Sequence, residues 1–158
     1  MKTLVAYFSA ETGRTRKAAA LVAKMTGGEL FEITPETEYT KADLNWKNPL
    51  ARCNKEKIGK KDVPVTGTVE GFADYEAVCL GFPIWYYGAP NVVQTFCKGY
   101  DWTGKKVYIF ATSGGSGIGK TAEKLAPFIP GAEIVQADVL RNTEELKVWT
   151  LKTGLKEE

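Results

Sequence analysis

Apolar residues in this chain come in two patterns, short continuous runs and helical spacings, and the two take turns. Thr3–Phe8, Ala77–Phe82 and Val107–Ala111 are near-continuous apolar runs. Strands covered on both faces read this way. Glu29–Thr34, with Leu30, Phe31 and Ile33, predicts a strand near a sheet edge that Pro35 stops. Ala132–Gln136 predicts a fifth strand. Between the runs the period changes. From Gly13 to Met25 the residues Ala18, Leu21, Val22 and Met25 fall on one helical face, and Gly27-Gly28 ends that helix. Ala89–Cys97 predicts a short helix. Gly119–Phe128 predicts another, with Ala122, Leu125 and Ala126 inward. Thr143–Leu155 predicts the last, with Leu146, Trp149 and Leu151 among its apolar positions. Asn142 is placed to cap it, with Glu144 and Glu145 in its first turn.

This alternation implies an α/β protein: a doubly wound, five-stranded parallel sheet between two helical layers. No linker divides the chain, so residues 1–158 read as one domain. The rhythm breaks between about residues 35 and 75, a stretch rich in Thr, Lys, Asp, Asn and Gly. A structureless loop of that length is uncommon, so the insertion is either functional or holds short elements of its own. Val69–Tyr75 reads as a lead-in to the third strand.

Composition narrows the chemistry. The net charge of +2 is too small to argue for nucleic acid or an anionic membrane, and no nucleic-acid or membrane partner is expected. The absence of histidine excludes a Ser-His-Asp triad, a Cys-His pair and most zinc sites, and no metal site is expected. Cys53, Cys79 and Cys97 form no CxxC pair. Cys79 reads as a core residue, Cys97 as helical and partly buried, and Cys53 as lying in a polar segment. The apolar run after Lys2 is too short for a signal peptide or a membrane span, so a cytoplasmic, reduced protein is expected.

Ligands of doubly wound sheets bind beyond the carboxyl ends of the strands, where strand order reverses. Three unusual loops follow the first, third and fourth predicted strands. In the first, Ser9, Thr12 and Thr15 offer hydroxyls, Gly13 allows close backbone approach and Arg14 adds a cation. A loop of this kind before a helix suits a phosphate. It matches neither GxxxxGK[ST] nor GxGxxG, which favours a phosphomonoester over a pyrophosphate; an N-cap turn without a ligand is the other reading. The second loop, from Gly81 to Pro90, carries Trp85, Tyr86 and Tyr87 between prolines and suits a planar ring. The third, Ala111 to Gly119, exposes glycine backbone able to read the polar edge of a heterocycle.

These residues resemble the flavodoxin family, in its short bacterial branch. The likeness is carried by Tyr7-Phe8-Ser9-Ala10-Glu11-Thr12-Gly13-Arg14-Thr15, by Pro83-Ile84-Trp85-Tyr86 with Gly88 and Pro90, and by Thr112-Ser113-Gly114-Gly115-Ser116-Gly117-Ile118-Gly119. It extends to Ala42-Asp43-Leu44-Asn45-Trp46 within the insertion. The resemblance implies a sheet of order 2-1-3-4-5 that binds FMN non-covalently. It implies that Ser9, Thr12, Gly13, Arg14 and Thr15 hold the phosphate, and that Pro83, Ile84, Trp85 and Tyr86 line the isoalloxazine. Thr112, Ser113, Gly114, Gly115 and Gly119 then form the opposite wall.

Two departures stand out. The phosphate loop is one residue longer than the common form, with Arg14 where asparagine is frequent, and the chain is slightly basic where electron-carrying flavodoxins are strongly acidic. The resemblance implies a low-potential electron carrier, monomeric, that meets a reductase and an acceptor protein. Because only Glu11 and Arg14 are charged in the three loops, a less negative potential for the second electron is expected than in the acidic carriers. Gly88 is a candidate for a peptide that reorients beside the flavin. Trp46 is placed to cover the other flavin face; an open face there favours the alternative, an FMN-dependent NAD(P)H or quinone reductase. A receiver domain of the same fold lacks support, since Ser9-Ala10 and Pro83-Ile84 stand where its acidic residues belong.

Overall fold

The computed structural model of the chain describes residues 2–9, 13–37, 44, 47, 51–52, 56, 63–85, 88–113 and 117–155. The strands are β1 (Lys2–Tyr7), β2 (Glu29–Glu32), β3 (Thr34–Pro35), β4 (Val65–Thr66), β5 (Tyr75–Pro83), β6 (Lys106–Thr112) and β7 (Glu133–Val139). The α-helices among the described residues are α1 (Arg14–Thr26), α2 (Asn91–Lys98), α3 (Thr121–Leu125) and α4 (Thr143–Thr153). Five strands form one parallel sheet in the order β2-β1-β5-β6-β7. Counted within that sheet alone, this is the expected order 2-1-3-4-5.

The period-two alternation of the strands explains the layers. Leu4, Ala6 and Phe8 of the first strand and its exit join Val78, Leu80, Phe82, Val107 and Ile109 on one face, packed with Val92, Val93 and Phe96 of α2. Val5, Tyr7, Cys79, Tyr108 and Phe110 point the other way, onto Ala19, Val22 and Ala23 of α1 and Leu146 and Trp149 of α4. Both described cysteines are fully buried, Cys97 more deeply than its sequence suggests. Burial pushes the Cys79 thiol up to about 12 and the Cys97 thiol up as well.

Several expectations need correction. The buried face of α1 is Thr15, Ala19, Val22, Ala23 and Thr26, while Ala18, Leu21 and Met25 lie at its half-buried margin. Small side chains let the helix sit close to the sheet, and Thr26 satisfies its hydroxyl on the Val22 carbonyl at 2.8 Å. Pro35 does not end the second strand. The main-sheet strand stops at Glu32, and Thr34-Pro35 pairs antiparallel with Val65-Thr66 in a separate ribbon. The insertion therefore contains short elements, and its described residues from Val63 onward are tied to α2 and the residues after it. Val63 N–H donates to Thr95 Oγ1 at 3.1 Å and Val69 N–H to the Tyr100 hydroxyl at 2.8 Å. The helix expected over Gly119–Phe128 is confined to Thr121–Leu125, and a 3-10 turn continues over Ala126–Phe128. Pro127 has no N–H with which to extend it, and Ala126 is exposed rather than inward. In α4, Leu151 is also exposed, and Thr150 takes the buried position. Asn142 caps that helix as expected: its Oδ1 accepts from Glu145 N–H at 2.9 Å, a contact worth about 1 kcal/mol.

Candidate functional site

Strand order reverses between β1 and β5, and the parallel register aligns the strand ends there. Tyr7 lies beside Gly81, Gly81 beside Phe110, and Pro83 beside Thr112. Gly81 permits this close packing. A Cβ at that position would meet the buried Phe110 ring at 2.2 Å, far inside van der Waals contact. The chain leaving β1 is held by Phe8 N–H on the Gly81 carbonyl at 2.9 Å.

Gly13 stands at the N-cap of α1 in the left-handed region, φ 71°, which admits glycine without strain. The helix has no side-chain cap at that residue; instead Ser9 Oγ accepts from Arg16 N–H at 3.2 Å. The first-turn amides of Arg14 and Thr15 have no intrahelical acceptor and point out of the helix start. Thr15 is buried, and its Oγ1 lies 2.9 Å from Thr112 Oγ1. That pair ties the first loop to the end of β6, and Arg14 Nη1 adds a long contact of 3.4 Å to the Ser113 carbonyl. The end of β6 is tied in turn to the second loop, since Ile84 N–H donates to the Thr112 carbonyl at 2.8 Å. Three loops distant in sequence thus meet through Thr112.

Trp85 is half-buried, and its ring meets Phe8 edge-on, with centroids 5.6 Å apart and planes at 88°. Trp85 and Gly88 exchange both backbone hydrogen bonds, at 2.9 and 3.1 Å. Both polar groups of Gly88 are therefore engaged, and turning either flanking peptide breaks one of these bonds. The conformational freedom expected at Gly88 is restrained by this bridge. Gly119 is exposed with φ 50°, and no described hydrogen bond joins it to the other loops. Thr12, Tyr86, Gly114 and Gly115 lie outside the described residues, as do Ala10, Glu11, Trp46 and Cys53.

The sequence reading missed Phe8, the aromatic partner of Trp85, and it missed Lys17 and Arg141. These two line a groove of about 200 Å³ with Arg14 and Thr112. The available signal for Arg141 was positional: it follows the last strand at the same end of the sheet as the other loops.

The model of the family described as flavodoxin matches residues 2–153. The chain belongs to the flavodoxin family. Solved flavodoxin-like structures agree with this. A provisionally named flavoprotein from Bacteroides eggerthii superposes with TM-score 0.86 at 37% identity, over 98% of this chain and 99% of its own. Another, from Bacteroides uniformis, gives TM-score 0.83 at 38% identity, over 94% of this chain and 96% of its own. A flavoprotein from Lactobacillus acidophilus, solved in complex with FMN, shares the fold with TM-score 0.68 at 21% identity, over 94% of this chain and 98% of its own. No curated protein matches the chain. Among the described residues of this flavodoxin, no helix is long and apolar enough to cross a membrane.

Proposed function

We propose that this flavodoxin binds FMN non-covalently across the ends of β1, β5 and β6 and serves as an electron-transfer carrier. The donor set fits that cofactor. Ser9, Thr15 and Thr112 place hydroxyls around the open first turn of α1, where backbone N–H groups and the helix dipole favour a phosphate. Ile84 and the half-buried Trp85 offer an apolar, flat surface on the neighbouring loop, suited to a heterocyclic ring. Bound FMN supplies the redox chemistry. The chain's residues hold its phosphate, orient it and restrict water around it.

The carrier reading rests on the family: the flavodoxin model matches residues 2–153, nearly the whole chain. Steady-state oxidation of NADH and NADPH by the FMN-loaded protein tests this. A carrier shows almost none without an added reductase protein. Turnover at enzymatic rates by the purified chain assigns it as a reductase instead.

A further inference from the structure

A groove of about 200 Å³ opens beside the phosphate loop, between α1 and the start of α4. Arg14 and Lys17 of α1 and Arg141 of the β7–α4 connection stand on its lining, and all three are exposed. Ala18, Leu21, Leu140 and Leu146 give it an apolar floor. Among the described residues no carboxylate lines it. Glu144 and Glu145 line the adjoining groove along α4, and Glu145 Oε1 accepts from Arg141 N–H at 3.0 Å. Among the described residues neither Lys17 nor Arg141 has a side-chain partner, whereas Arg16, next to them on α1, is paired with Glu32 at 2.5 Å. Even where Arg14 pairs with the cofactor phosphate, Lys17 and Arg141 are left as like charges on one concavity, and an anion that joins them relieves their repulsion.

Size decides what kind of anion. Pockets for drug-sized ligands run from about 300 to 1,000 Å³. This groove is smaller and accepts a single acidic side chain over an apolar floor, not a dinucleotide. Its position decides the purpose: Arg14 and Thr112 belong both to the groove and to the cofactor site. A protein anchored here lies against the edge of the flavin site.

We propose that this groove is the docking point for an acidic redox partner protein, one of whose carboxylate side chains enters between Arg14, Lys17 and Arg141. The proposal rests on the electron-carrier reading and gives that carrier a partner of defined charge, opposite to the partner an acidic carrier would need.

A matched pair of probes tests it: native cytochrome c, which is basic, and the same protein with its lysines succinylated, which is acidic. Stopped-flow reduction of each by the dithionite-reduced, FMN-loaded protein is measured at low and high salt. The succinylated form is expected to react about tenfold faster than the native form at low salt, with the gap closing at about 0.5 M salt, as steering by charge predicts. The double variant Lys17→Glu with Arg141→Glu should reverse the preference while its flavin absorbance stays unchanged. A faster reaction with native cytochrome c, or an unmoved preference in the double variant, overturns the proposal. So does selective inhibition by millimolar phosphate at constant ionic strength, which would mark a site for free anions. Calorimetric titration of both cytochromes into flavin-free protein separates this proposal from the cofactor reading. Binding of the succinylated form alone, lost in the double variant, supports the groove even where FMN fails to bind. Equal binding of both forms contradicts it.

Discussion

The two ends of the parallel sheet are built on opposite principles. At the amino end, polar groups are buried and satisfied. Lys105 is 6% exposed, and its Nζ donates to the carbonyls of Phe72 at 2.9 Å and Tyr75 at 2.6 Å, with a longer contact to Ala73. The ammonium also lies 4.7 Å from the Phe72 ring centroid, within a cluster that includes Tyr100 and Trp102. Tyr75 donates its hydroxyl to Glu29. At the carboxyl end, Thr15 and Thr112 pair their hydroxyls, the first-turn amides of α1 stay open, and among the described residues Lys17 and Arg141 have no side-chain partner. A buried polar group that has found its partners holds the fold together, whereas one left available is positioned for something outside the chain.

Substitution at Lys105 should break this contrast most visibly. Lys105→Met strands buried carbonyls and is expected to cost about 3 kcal/mol in urea unfolding, with FMN affinity of the folded fraction unchanged. A loss of flavin affinity without loss of stability would contradict the division of labour. The mirror-image change is Thr15→Val. It should lower FMN affinity by about tenfold or more while costing only about 1 kcal/mol of stability.

Titration probes the amino end further. Burial, followed by the bond to Glu29, pushes the Tyr75 hydroxyl up to about 12 from 10.0. Between those values the unfolded tyrosine has lost its proton and the folded one has kept it. The folded state binds more protons, so stability falls as pH rises through this window. Lys105, lowered from 10.5 chiefly by burial, acts with the opposite sign. Tyr75→Phe isolates the tyrosine's part and is expected to flatten the alkaline loss seen in chemical denaturation at pH 10 to 12. An unchanged slope would show that the hydroxyl is not held as described. The smallest effect is expected at Gly88→Ala. The new methyl makes ordinary contact, 3.5 Å from Lys124 Cδ, and stability should move by no more than about 0.5 kcal/mol in thermal melts.

Sheet composition and the helix cap at Asn142 were legible because long apolar runs and capping residues act locally, whereas the strand order came from the resemblance to the flavodoxin family. The β3–β4 ribbon was not, since each strand is two residues long and its partner lies some thirty residues away, as Thr34 pairs with Thr66. The buried face of α1 was misread because close packing selects Thr15, Ala19, Ala23 and Thr26 over the bulkier Leu21 and Met25. Lys105 gave no signal, for a lysine after a glycine turn reads as solvated until the fold places three carbonyls around it. That the loops carrying Ser9, Thr15, Trp85 and Thr112 lie at one end of the sheet was legible from their place after predicted strands, and the structure joins them there. The groove was hidden because it joins Lys17 to Arg141 across most of the chain.

What the open carboxyl end holds decides the role of this chain. Titration of flavin-free protein with FMN, followed by quenching of flavin fluorescence and by the visible absorption of the complex, tests this most directly. We predict one FMN per chain with a dissociation constant below about 1 μM, some 8 kcal/mol of binding free energy, and loss of affinity in Thr15→Val but not in Lys105→Met. A protein that stays colourless and leaves FMN fluorescence unchanged at tens of micromolar would contradict it.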